Sequence, residues 1–382
     1  MRIARITVAP AAGLLAVAAL AGTSVLAAGS AAAGTGTPAR AAGLPSGQLF
    51  GVAATSASNA WAVGQVTTTG KTILLHWNGT AWKQVTSPTP KGGGALYGVA
   101  ATSASNVWAV GGSSTPPGRT EILHWNGTAW KSVPSPTPKG GGALFGVAAT
   151  SASNAWAVGC AGNCFQGSGG IKTLILHWNG IAWKQVPSPS PGSGSALSSV
   201  TAVSARSAWA AGCTAFCFLS SATPRTVILR WNGATWKQVP SPAPARVGAL
   251  NGIAATSASN AWAVGCAGYC FGPLATTRTM IVRWNGAAWK YVPSPSPAGN
   301  SVLTAVAASS ASNAWAVGYT RKTGKTLILR WNGTAWQQVP SPTPGSLSQL
   351  LGVTVTSAHN AWAAGWDLKG LILQHWNGAA WK

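Results

Sequence analysis

Acidic side chains are almost absent from this chain. Its 382 residues include two, Glu121 and Asp367, in different copies of an internal repeat. Glycoside hydrolysis needs two carboxyl groups roughly 5–10 Å apart, and zinc or calcium sites need several acids, histidines or thiolates together. Two acids on separate copies cannot form the carboxylate pair. Zinc is left only as the weaker alternative to disulfides, because each cysteine loop has two thiols and no nearby histidine, and no Ser-His-acid triad is visible. With four tyrosines, a lyase or transferase built on Lys, Arg and Tyr has little to draw on. The chain is therefore expected to be no enzyme and to need no metal or cofactor. Long apolar runs are also scarce. The one at about residues 11–28 follows Arg2 and Arg5 and is succeeded by small residues, as in a secretory signal peptide. No later run is long enough to cross a bilayer as a helix.

Positive charge, tryptophan and repetition are what the chain has in quantity. There are 25 Lys plus Arg, a formal net charge of +23, and 22 tryptophans. Such a balance predicts attraction to polyanions such as teichoic acids, acidic polysaccharide or, non-specifically, nucleic acid. A seven-fold repeat is marked by Trp61, Trp108, Trp156, Trp209, Trp262, Trp315 and Trp362, at spacings of 47 to 53 residues. In the first copy, 49–54 reads as a short buried strand and 55–59 as a turn. Residues 60–64 form a second strand and 72–77 a third. Asn78-Gly79 then suggests a type I′ hairpin into a fourth strand at 81–85. The Pro-Ser-Pro that follows in later copies places that fourth strand at an edge.

Four antiparallel strands per copy and seven copies predict an all-β, seven-bladed propeller over residues 47–382. It follows a signal peptide (1–28) and a flexible Ala/Gly/Pro leader (29–46). The repeat resembles secreted bacterial proteins carrying Trp-Asn-Gly-x-x-Trp copies and, at the superfamily level, kelch and galactose-oxidase-like propellers. Only Gly111-Gly112 keeps the kelch double glycine, and the Ser-x-Ser-Asn turn has asparagine where an Asp-box has aspartate, so oxidase and sialidase chemistry do not transfer.

A side chain present in every copy is expected to be structural, which assigns 21 of the tryptophans to packing between blades. The Asn-Gly-Thr sequons at Asn78, Asn126 and Asn332 are explained by turn geometry, and the histidines or arginines before each third-strand tryptophan read as polar ends of strands. Function should lie where copies differ. Three second-to-third-strand loops are longer and carry Cys160/Cys164, Cys213/Cys217 and Cys266/Cys270, expected as local disulfides in an exported protein. Beside them stand Phe165, Phe216, Phe218, Tyr269 and Phe271, with Trp366 in the equivalent loop of blade seven. Lys71, Arg119, Lys172, Arg225, Arg278, Lys325 and Lys369 form a cationic ring at the same end of the blades. These aromatics and cations are the candidate ligand-binding residues. They suit a monomeric, secreted binding module for an anionic cell-envelope or extracellular glycopolymer. The alternative is a structural or adhesive propeller that binds a protein partner, with a carbohydrate-active enzyme third.

Overall fold

The computed structural model describes residues 43–165, 170–215, 223–242, 247–268, 270 and 277–382. It is a ring of seven antiparallel blades, each built in chain order from the axis outward. Blade one comprises Gly47–Ser56 innermost, then Asn59–Val66, Thr72–Trp77 and Trp82–Gln84. Blades two to six repeat this four-stranded order. Blade seven has three strands, Gln349–Ser357, Asn360–Asp367 and Gly370–Trp376. Its outer strand shrinks to one bridge between Trp376 and Trp381, held by paired backbone hydrogen bonds of 2.9 and 3.0 Å between His375 and Lys382.

The blades are joined by tryptophan. The second-strand Trp61 packs on Trp125 and Trp130 of the next blade, with ring centroids 4.9 and 5.1 Å away and the second contact edge-on. The same trio recurs at each seam, and every second-strand tryptophan is essentially buried. Edge-to-face pairs of this kind add about 0.5–1.5 kcal/mol beyond their buried area. The third-strand indole N–H donates to a turn carbonyl, as in Trp77 Nε1 to Ala57 O at 2.9 Å. The other two indoles of each trio have no oxygen or nitrogen acceptor and are surrounded by the aromatic seam.

The sequence leaves the closure of the ring open, and the structure answers it. Trp362 of blade seven packs on Trp77 and Trp82 of blade one at 5.0 and 5.3 Å, repeating the other six seams. Among the described residues no strand is exchanged between the ends. Leu44, ahead of the first strand, packs at the edge of this closing cluster. At the axis the inner strands crowd together: a Cβ on Gly352 would lie 3.1 Å from Gly51 Cα, and one on Gly98 would lie 2.9 Å from Phe145 O. Glycine is required where backbone meets backbone this closely.

One local expectation is corrected. The Asn-Gly turns are not two-residue type I′ hairpins, because Trp77 pairs with Trp82 and leaves four residues between them. Only Gly79 takes a positive φ, 97°. Asn78 instead folds its side chain over the turn, with Oδ1 accepting from the N–H of Thr80 and Ala81 at 3.1 and 3.0 Å. An Asx turn of this kind satisfies backbone donors that a type I′ turn would leave to water.

Candidate functional site

Every blade sends its second-to-third loop and its outer-to-inner connection to one face, the loop face. The Ser-x-Ser-Asn and Asn-Gly turns lie on the other. At the asparagine-bearing turns of blades one, two, three, five and seven a polar relay ties the turn to the seam. Asn313 Oδ1 of blade six has no partner among the described residues, and blade four has Ser207 at this position. In blade five Arg283 Nε and Nη2 donate to Asn260 Oδ1 at 3.0 and 2.9 Å, while Asn260 Nδ2 donates to Thr256 Oγ1 at 2.8 Å. Guanidinium can only donate, so the asparagine orientation is fixed. By equivalence His76 Nε2 donates to Asn59 Oδ1 at 2.8 Å, and His124, His177 and His375 repeat the bond. These imidazoles also stack on the second-strand tryptophans at 4.1–4.3 Å. Burial lowers all four histidine pKa values. Arg230, Arg283 and Arg330 take the place of histidine in blades four to six, each over two indoles at 4.7–5.4 Å. The expected structural role of this position is a seam contact, more than a polar strand end.

On the loop face Lys71, Arg119, Lys172, Arg225, Arg278, Lys325 and Lys369 are all exposed. Among the described residues none of them forms an ion pair. Both acids are occupied in other hydrogen bonds. Asp367 is buried and its Oδ1 accepts from the N–H groups of Lys369 and Gly370 at 2.7 and 2.9 Å. Glu121 accepts from Ser132 Oγ at 3.3 Å, and burial raises its pKa against that bond.

The cysteine loops form local disulfides, Cys160–Cys164 and Cys266–Cys270, with Cα atoms 6.1 and 5.8 Å apart. Cys213 is disulfide-bonded. Cys217 lies outside the described residues, as do Phe216, Phe218, Tyr269 and Phe271. Phe165 does not stand free on the loop face. It is half-buried against Tyr97 and Phe145, with centroids 6.2 and 6.1 Å apart. Trp366 is half-buried at the loop-face end of its strand. Among the described residues no three His, Cys, Asp or Glu side chains gather as a metal site would need. Nor is any helix long and apolar enough to cross a membrane.

Sequence reasoning missed a second set of residues, on the axis. In every blade the inner strand bulges in its first half, so that the register against the second strand skips one residue there, apart from a second shift beside the turn in six blades. The skipped residues are Phe50, Tyr97, Phe145, Ser198, Asn251, Thr304 and Leu351. A bulge leaves its residue outside the ladder and re-aims its side chain, and here all seven line one axial cavity of ≈ 190 Å³. Blades one to three supply an aromatic arc: Phe50 lies 5.2 Å from Tyr97, and Tyr97 lies 5.5 Å from Phe145. Blades four to six supply a polar arc. Asn251 Nδ2 donates to Leu303 O at 2.8 Å and Thr304 Oγ1 donates to Leu350 O at 2.7 Å. The signal was present as the variable residue after an invariant leucine, in a Leu-x-Gly that five blades keep and that ends in Ser199 and Ala305 in blades four and six.

No protein-family model and no curated protein matches this chain. Among solved structures it is similar to YCF48 from Cyanidioschyzon merolae, at 17% identity and a TM-score of 0.55, over 87% of this chain and 97% of that one. It is similar also to YCF48 bound to a D1 peptide, at 15% identity and TM-score 0.55, over 86% and 93%. At such identities the likeness is one of fold.

Proposed function

We propose that this chain is a non-catalytic, exported interaction propeller whose loop face receives a protein partner rich in carboxylates. The observation that carries the reading is the ring of seven exposed cations, one per blade, none of them in an ion pair among the described residues. A surface of one sign speeds encounter with an oppositely charged partner and selects its orientation. The similar propeller YCF48, solved with a D1 peptide, supports a peptide or protein as the class of ligand. Export is supported by the apolar N-terminal stretch and by disulfides in the loops. The Trp-Asn-Gly resemblance belongs to the same reading, since its tryptophans have fixed tasks in the seam and its asparagine in the turn.

An anionic envelope glycopolymer is the second reading, favoured by the net charge of +23. Calorimetry separates the two. The protein is titrated with a poly-aspartate-flanked peptide and with purified teichoic acid across a salt series, alongside a variant with Lys71, Arg119 and Lys172 changed to Gln. Binding of the acidic peptide that weakens in the variant supports a protein partner. Binding of teichoic acid alone supports the glycopolymer. No binding of either at low salt refutes the cationic face as a docking surface.

A further inference from the structure

We infer that the axial cavity is a binding site for a phenol, a six-membered aromatic ring carrying one hydroxyl, either free or as a tyrosyl side chain. The inference does not depend on the cationic face and concerns different residues.

Size comes first. A cavity of ≈ 190 Å³ slightly exceeds the engineered apolar cavity of about 150 Å³ that admits benzene, which leaves room for one substituent. The walls then select chemistry. Phe50, Tyr97 and Phe145 offer a continuous aromatic arc against which a ring can lie edge-to-face. No charged side chain lines the cavity, so it selects a neutral ligand although the protein as a whole attracts anions.

The polar wall specifies the hydroxyl. Asn251 spends its Nδ2 on Leu303 O, and its Oδ1 has no donor among the described residues. On the adjoining blade Ser198 Oγ is shielded from solvent and has no partner. Leaving the shielded Ser198 Oγ unpaired costs about 1–3 kcal/mol, while the half-buried Asn251 leaves an acceptor beside it. One hydroxyl that donates to Asn251 Oδ1 and accepts from Ser198 Oγ would satisfy both. The Thr304 hydroxyl already donates to backbone, so a saccharide with many hydroxyls would leave most of them unpaired.

The test is calorimetric titration of the full chain with p-cresol and with toluene, which differ only in the hydroxyl. p-Cresol is expected to bind roughly tenfold more tightly, and Asn251→Leu should reduce that ratio below about threefold. Ser198→Phe and, from the opposite side, Leu351→Phe fill the cavity. Either one, if its melting temperature is kept, should abolish binding. Equal affinity for the two probes would overturn the inference. So would wild-type affinity in both filled variants. Acetyl-Asp-Tyr-Asp-amide and its Phe counterpart distinguish the sources: displacement of p-cresol by the Tyr peptide alone assigns the site to a partner's tyrosine. p-Cresol binding without displacement assigns it to a free small phenol. An acidic peptide lacking any aromatic reports on the cationic face alone, so the two failures are separable.

Discussion

If the ring closes through an ordinary seam, cutting the closing seam should cost as much as cutting any other. Trp362 and Trp209 make the test. Each is buried, and each meets a tilted tryptophan at about 5 Å and an edge-on one at 5.2–5.3 Å. Truncation of a core tryptophan to alanine costs about 3–5 kcal/mol through lost burial and the cavity left behind. The two aromatic pairs broken in each case are included in that range. With an unfolding entropy near 2.1 cal/mol/K per residue, a loss of this size lowers the melting temperature of a propeller of this length by roughly 5 °C. Differential scanning calorimetry of Trp362→Ala and Trp209→Ala should therefore give equal depressions. In an open, stacked array the terminal seam would be the cheapest to lose, because end units have one neighbour. A Trp362→Ala cost below about 1 kcal/mol beside a full-sized Trp209→Ala cost would refute closure through this seam.

Acid should destabilise the ring from the histidine seams. The pKa values of His76, His124, His177 and His375 are lowered by burial, so the unfolded chain binds protons first. Stability is full above the unfolded value near 6.5 and falls as pH drops toward the folded values. Replacing all four with arginine, which blades four to six already use, should flatten melting temperature between pH 7.5 and 5. An unchanged slope would show that other groups set it. Gly98→Ala drives a Cβ to 2.9 Å from Phe145 O and should cost about 1–3 kcal/mol by overpacking, measured by urea titration. A neutral outcome would mean the inner strands can part. Reduction of Cys160–Cys164 and Cys266–Cys270 opens loops with a sequence separation of 4. The chain-entropy estimate is about 2 kcal/mol each, so thermal melting should shift while far-ultraviolet circular dichroism stays that of the folded ring. Loss of that spectrum on reduction would contradict a local role.

The architecture was legible because the seam residues repeat. Trp77 and Trp82 recur five residues apart in every copy with a Trp61 equivalent ahead of them, and a side chain that must meet the tryptophans of the next blade cannot vary in one copy. The turn type was not legible. Asn-Gly has the same letters in a two-residue hairpin and in an Asx turn, and only the pairing of Trp77 with Trp82 distinguishes them. The axial collar was missed for a different reason. Phe50, Tyr97 and Phe145 read as ordinary residues of a buried strand under strict alternation, and a bulge breaks alternation without a marker of its own. Comparing copies column by column exposes it, because the position holding Phe50 in blade one holds Ser198, Asn251 and Thr304 in others. The cysteine loops drew attention by their length, yet Phe165 is turned inward onto that same collar.

The seam position that alternates between histidine and arginine is not scattered around the ring. Histidine holds blades seven, one, two and three, and arginine holds four, five and six. At neutral pH the three guanidiniums are charged and the four imidazoles, their pKa values lowered by burial, are not, so the positive charge held within the seams is gathered in one arc of the ring. Acidification would charge the opposite arc as well and spread that charge round the whole circle.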